Sequence, residues 1–396
     1  MTQDNTDTAA GDAEFRAEIR DWLAENLSGE FRGLRGLGGS GREHEAFEER
    51  LAWDRHLAAN NWTCLGWPVQ YGGRAASLAR QVIFHEEYAR AEAPGRVSHI
   101  GEELLGPTLL AFGTEEQKQR FLPGVKSVTE LWCQGYSEPG AGSDLAAVST
   151  TARLEGDEWI IDGHKVWTSL AHLADWCFVV ARTEPGSARH RGLSYLLVPM
   201  KQPGIEVRPI VQLTGTAEFN EVFFDGARTA ADLVVGAPGE GWRTAMGTLA
   251  VERGVSTVGQ QIRFARELSD LEAVATETGV ITDPLIADRF DKAWIGLRVM
   301  RASAVRTLAG ATEGAASGTA NSAPISKLLW AHWHRNVGEL AMDVLGPAGL
   351  LSPEGDLDRW QRLFLFSRAD TIYGGSSEVQ RNILAERVLG LPRQAR

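Results

Sequence analysis

Cysteine is scarce in this chain, and positive charge is outnumbered. Cys64, Cys133 and Cys177 are the only cysteines among 396 residues. An odd, widely spaced set makes no disulfide framework, so the three read as buried, reduced thiols of a cytoplasmic protein. Lys and Arg number 40 against 52 Asp and Glu, for a net charge of −12. That balance argues against nucleic acid and against an anionic membrane surface, both of which need clustered positive charge. No apolar run approaches the roughly 20 residues of a membrane-spanning helix. The opening stretch MTQDNTDTAAGDAEF lacks the basic and apolar regions of a signal peptide. There is no internal repeat, no P-loop and no G-x-S-x-G elbow. His85-Glu86-Glu87 lacks the second histidine of a zinc motif, and His164 and His172 show no metal-ligand spacing. Gly36–Gly41 matches G-x-G-x-x-G but follows a helical pattern with no βαβ unit around it, so it reads as a loop.

What is present is a globular composition, 43% hydrophobic and 23% charged, in a chain long enough for two or three domains. Phe15, Ile19, Trp22, Leu23 and Leu27 share one helical face. Glu45–Asn60, Ser77–Ala91 and Glu115–Phe121 continue the helical reading, the last with Thr114 as N-cap. The period changes near Leu131. Ser149–Leu154 and Glu158–Ile161 flank Gly156-Asp157 as a hairpin, and Trp176–Arg182, Leu193–Val198, Ile205–Leu213 and Glu221–Phe224 are further short strands. After Gly241 the pattern is helical again, over Trp242–Thr278, Pro284–Leu308, Ser322–Leu345 and Ser376–Leu389. Gly310–Ala323, rich in Ala, Gly, Ser and Thr, reads as a flexible loop between helices. The expected architecture is α+β: a helical domain over 1–130, a central antiparallel β-domain over 131–240, and a C-terminal four-helix bundle over 241–396.

Two segments stand apart. Leu131–Ala147, LWCQGYSEPGAGSDLAA, sets polar residues among small ones. On the residues alone it reads either as a ligand loop or as a tight turn. Thr371–Arg381, TIYGGSSEVQR, places two glycines just ahead of a helical pattern. Together they resemble the two signature regions of the acyl-CoA dehydrogenase flavoproteins. The order helical, β, helical is that family's layout. Lys165-Val-Trp-Thr-Ser169, Trp67-Pro-Val-Gln-Tyr-Gly-Gly73, Gly113-Thr-Glu-Glu-Gln-Lys118, Glu221-Val-Phe-Phe-Asp225 and Glu386-Arg-Val-Leu-Gly390 extend the resemblance over nearly the whole chain.

The resemblance implies FAD, held non-covalently. Gln134, Tyr136, Ser137, Ser143, Trp167, Ser169 and Ser376 fall at its flavin-contacting positions, with Trp167 covering one face of the ring system. It implies an acyl-CoA substrate, the trans-2-enoyl-CoA product, and transfer of electrons to an electron-transfer flavoprotein. It further implies a tetramer, either of four identical chains or of two unlike pairs, as in bacterial relatives that act on steroid side chains. One departure matters most. Gly374 stands where most of the family carries its catalytic glutamate, and glycine offers only a backbone N–H to an enolate oxygen. A minority of the family draws its base from another helix. Here Glu252 falls at that position, with Arg253 beside it at a substrate-binding one, and Ser143 is shared between cofactor and CoA. The family's Arg-x-x-Phe-Gly segment is missing from Glu277–Pro284, and Asp343 stands where a pyrophosphate-binding glutamine is usual. The alternatives are a flavin monooxygenase on the same fold and a non-catalytic partner subunit.

Overall fold

The computed structural model describes residues 2–251, 256–312, 316–352 and 355–393. The chain forms two compact units. One comprises Glu25–Ser77 and Ala93–Gly254, the other Met1–Ala24, Leu78–Glu92 and Val255–Arg396. Helices α1 (Thr2–Asn26), α2 (Phe47–Ala59), α3 (Leu78–Arg90), α4 (Gly106–Phe112) and α5 (Glu115–Lys126) precede the strands. In α1, Phe15, Ile19 and Leu23 are buried, as is Leu27 just past its end, as their spacing predicts. Thr114 caps α5 in a reciprocal capping box with Gln117.

Seven strands follow: β1 (Trp132–Gly135), β2 (Thr151–Glu155), β3 (Glu158–Ser169), β4 (Trp176–Arg182), β5 (Leu193–Pro199), β6 (Ile205–Ile210) and β7 (Phe219–Ala230). They build one sheet in the order β1-β4-β2-β3-β7-β6, with β5 on β4. Pairing is antiparallel except that β1 runs parallel to β4 and β2 touches it in parallel at Thr151. The continuous apolar run of β4 has a reason. Cys177, Val179 and Ala181 enter one hydrophobic cluster, while Phe178 and Val180 enter another with Leu105, Leu109 and Phe121 of the helical segments. A strand buried on both faces needs no polar alternation.

Helix α6 (Gly241–Val251) closes this unit. The other unit is built on α7 (Ser256–Glu277), α8 (Pro284–Thr312), α9 (Ala316–Leu345), α10 (Arg359–Asp370) and α11 (Ser377–Ile383), together with α3 and most of α1. Phe264, Leu268 and Leu271 of α7 pack with Phe290 and Leu297 of α8, and with Trp333, Val337 and Leu340 of α9. The loop expected over Gly310–Ala323 is corrected: its described residues continue α8 to Thr312 and open α9 at Ala316. Alanine is the best helix former, and it outweighs the scattered glycine and serine there. Among the described residues no helix is long and apolar enough to cross a membrane.

Candidate active site

The first signature begins as β1, fixed to β4 by aromatic packing. Trp132 stacks on Trp176 with centroids 5.6 Å apart, and Phe121 meets both edge-on. Cys133 and Gly135 are buried, leaving Gln134 half-buried between them. The Tyr136 ring is buried against Phe178 and Tyr195. The chain then turns back at Pro139-Gly140, with Glu138 and Ala141 exchanging backbone hydrogen bonds of 3.1 and 3.0 Å. A Cβ added at Gly140 or Gly142 would meet nothing within 4 Å, so Ser143 sits on an open, exposed loop.

A buried ion pair holds this turn. Lys165 Nζ donates to Glu138 Oε1 at 2.8 Å, to the Tyr136 carbonyl at 3.1 Å and to the Val180 carbonyl at 2.8 Å. All three ammonium donors are therefore used. Glu138 also accepts from the Ser149 N–H and hydroxyl and from the Thr150 N–H. Burial alone would raise the Glu138 carboxyl; the Lys165 charge and these donors outweigh it and bring it to about 2. Burial lowers the Lys165 ammonium, against the pull of Glu138.

Beside this pair β3 breaks register with β7. Lys165 pairs with Val222 and Thr168 with Asn220, so Val166 and Trp167 face one residue, Glu221. This is a β-bulge. Trp167 takes a left-handed φ of 60°, and its side chain is 57% exposed. The Val166 N–H donates to the Ser137 carbonyl at 2.9 Å, tying the bulge to the signature turn. Ser169 is half-buried two residues on. A bulky residue in left-handed backbone is costly, and such strain collects at functional sites.

The second signature follows α10. Gly374 and Gly375 have φ of 61° and 88°, a conformation that favours glycine. Gln380 Nε2 donates to both their carbonyls, at 3.0 and 3.3 Å. Ser376 is the N-cap of α11, its hydroxyl accepting from the Val379 N–H at 3.4 Å. Tyr373 donates its hydroxyl to Asp370 Oδ1 at 2.6 Å.

Three consecutive family models cover the chain; the first signature from Cys133 onward and the bulge lie in the second, and the other signature lies in the third. The N-terminal, middle and C-terminal domains of acyl-CoA dehydrogenase match residues 11–129, 133–227 and 239–389. The chain belongs to the acyl-CoA dehydrogenase family. It is 67% identical to acyl-CoA dehydrogenase IpdE1 of Mycobacterium tuberculosis, over 97% of this chain and 98% of the relative. It is 65% identical to IpdE1 of Mycolicibacterium smegmatis, over 97% and 98%. Among solved structures it resembles the Tcur3481–Tcur3483 steroid ACAD, with a TM-score of 0.83 at 30% identity over 97% and 98% of the chains. The ChsE4–ChsE5 complex of Mycobacterium tuberculosis matches with a TM-score of 0.80 at 30% identity, over 97% and 98%.

Membership in this family makes the chain an oxidoreductase and implies a flavin cofactor. The donor set suits one: an exposed indole face, the hydroxyls of Ser137, Ser143 and Ser169, and the Gln134 amide, none of them charged. Gln134, Tyr136, Ser137, Ser143, Trp167 and Ser169 share the sheet unit; Gly374 and Ser376 lie in the helical unit. Glu252 and Arg253 lie outside the described residues. Asp343 pairs with Arg289. Both border a groove of 710 Å³ with Trp333, Leu340 and Phe364.

The sequence reading passed over helix α10 and the groups it carries. A signal was there: Asp358 and Gln361 form a capping box just ahead of an apolar pattern. It also gave Glu138 and Lys165 no role.

Proposed function

We propose that this chain catalyses the FAD-dependent α,β-dehydrogenation of an acyl-CoA thioester to the trans-2-enoyl-CoA. FAD, when bound, supplies the hydride acceptor. Trp167 would cover one face of its ring system, and Gln134, Ser137, Ser143 and Ser169 would hold its polar groups. Tyr136 contributes through its backbone, because its ring is buried elsewhere. Ser376 contributes at the start of α11. Glu252 takes the α-proton, Arg253 and Ser143 bind the substrate, and the Gly374 N–H steadies the oxygen on which charge develops. Electrons then pass to an electron-transfer flavoprotein. The domain limits we assign are 1–130, 131–240 and 241–396, in keeping with strands that, among the described residues, run from Trp132 to Ala230.

The observation that carries this reading is the bulge at Val166-Trp167, which turns an aromatic face outward beside the signature turn. Two relatives are named as pairs of unlike chains, and one as a steroid enzyme. They support an assembly of unlike chains, the heteromeric form of the proposed tetramer, and a polycyclic acyl group. The test is to purify the chain with and without a co-expressed related subunit and record the flavin spectrum. Acyl-CoAs of linear and ring-bearing type are then titrated anaerobically. Bleaching of the flavin band by a thioester is expected. A colourless complex overturns the reading. A coloured one that no thioester bleaches, but that consumes oxygen rapidly once reduced, points to the monooxygenase instead.

A further inference from the structure

We propose that Glu267, His334 and Asp370 form a relay, closed at buried Asp370, that holds Tyr373 and, through it, sets the position of the Gly374 N–H. The proposal rests on the acyl-CoA dehydrogenase reading, which gives that N–H a part in the reaction. His334 projects from α9 between two carboxylates. Its Nδ1 lies 2.5 Å from Asp370 Oδ2 at the end of α10, and its Nε2 lies 3.0 Å from Glu267 Oε1 on α7. The ring stacks on Phe264 at 4.5 Å, with Trp333 parallel to it. Asp370 is buried, and its second oxygen accepts the Tyr373 hydroxyl at 2.6 Å. Lys327 Nζ donates to the Asp370 carbonyl at 2.8 Å and lies 4.3 Å from the centre of the Tyr373 ring.

The carboxylates of Glu267 and Asp370 and the cation of Lys327 are thus the charges gathered at this point. Burial alone would lower the imidazole, but Glu267 and Asp370 outweigh it and lift it to about 10. At neutral pH both ring nitrogens therefore donate, as two flanking carboxylates require. A bundle that needed only stability could fill this space with apolar residues. The chain of contacts ends instead at the residue before Gly374. That matters because Gly374 and Gly375 both take left-handed backbone, where glycine has wide freedom. The Gln380 amide holds their carbonyls from the far side. Tyr373 fixes the near side. An N–H that must meet a developing charge gains from such preorganisation.

The experiment uses the flavin-loaded protein with its partner subunit. Tyr373→Phe and Asp370→Asn are compared with the parent by amide exchange at Gly374 and Gly375, by kcat and KM, and by Tm. Tyr373→Phe removes one hydroxyl and leaves Asp370 its bond to His334, so it is the milder change and folds even where Asp370→Asn does not. Faster exchange at the two glycines is expected. So is a fall in kcat of about a hundredfold, with KM less affected and Tm close to the parent's. The double variant is no slower than Asp370→Asn, since both changes cut one chain. Parent-like exchange in Tyr373→Phe overturns the relay. Faster exchange with unchanged kcat, or losses that multiply in the double variant, overturns its link to Gly374. If no acyl-CoA reduces the parent, the proposed reaction fails and the exchange measurement alone decides the relay.

Discussion

Lys165 Nζ and Glu138 Oε1 stand 2.8 Å apart with both side chains out of reach of solvent. The pair ties the signature turn to the strand that carries Trp167, because Lys165 also holds the Tyr136 carbonyl. Cutting one partner strands the other charge in the core. Lys165→Met is expected to cost about 3–5 kcal/mol. The double change Lys165→Met with Glu138→Gln should cost less than the two singles added, since no charge is left alone. Denaturant midpoints of the three variants check this. Additive losses would show that the pair does not couple.

The same carboxylate sets an acid limit. Glu138 sits at about 2 in the folded protein, below the ordinary ~4.3 of a glutamate. A depressed pKa gives stability that is full above the ordinary value and is lost as pH falls through about 2. Between those limits the parent should lose stability more steeply than Glu138→Gln. Unfolding free energies measured at several pH values across that window test it. Equal slopes would remove Glu138 from the account.

His334 works in the opposite direction. Its folded pKa of about 10 lies above the ordinary ~6.5 of histidine. Its contribution is full below the ordinary value, and is lost as pH rises through about 10. His334→Gln should therefore flatten the alkaline fall in stability. The imidazole titration itself can be followed by NMR, and a midpoint near neutrality would refute the paired geometry.

Much of the fold was readable because it is locally encoded. Thr114 announces α5, and Gly156-Asp157 announces the turn from β2 to β3. The candidate flavin residues were proposed for a different reason: they sit in three short runs that resemble a family. What escaped depends on distance along the chain. His334 and Asp370 are separated by 36 positions, and Glu138 and Lys165 by 27, so no local pattern joins them. The bulge at Trp167 escaped as well, because an extra residue in a strand leaves the apolar alternation intact on either side. Gly310–Ala323 misled through glycine and serine, when its alanines decided the outcome.

Trp167 offers a test that separates stability from binding. Its backbone is left-handed and its ring is more than half exposed. Trp167→Gly should relieve roughly 1 kcal/mol of backbone strain and sacrifice little packing. The apo-protein should be as stable as the parent or more so. Flavin affinity should fall roughly two- to tenfold, the worth of one aromatic stacking partner. Thermal unfolding of the apo-form and a flavin fluorescence titration read the two effects separately. A destabilised apo-protein that still binds flavin at full strength would place the indole in the core rather than on the cofactor.

The base is the most direct point of attack. Gly374 has no carboxylate, and its φ of 61° suits glycine better than any other residue. If Glu252 takes the α-proton, Glu252→Gln keeps the size and hydrogen bonding of the side chain but cannot accept the proton. Substrate-driven flavin reduction should slow by roughly 10²–10⁴-fold, the usual worth of a general base, with the flavin retained. Adding Gly374→Glu to that variant returns a carboxylate to the position most of the family uses. Recovery should be partial, because a glutamate in left-handed backbone costs about 1–2 kcal/mol and disturbs the loop that Gln380 holds. Stopped-flow reduction under anaerobic conditions reads both steps. An undiminished rate in Glu252→Gln moves the base elsewhere. A full loss that Gly374→Glu does nothing to repair leaves Glu252 as base and shows that the signature loop no longer presents a side chain to the α-carbon.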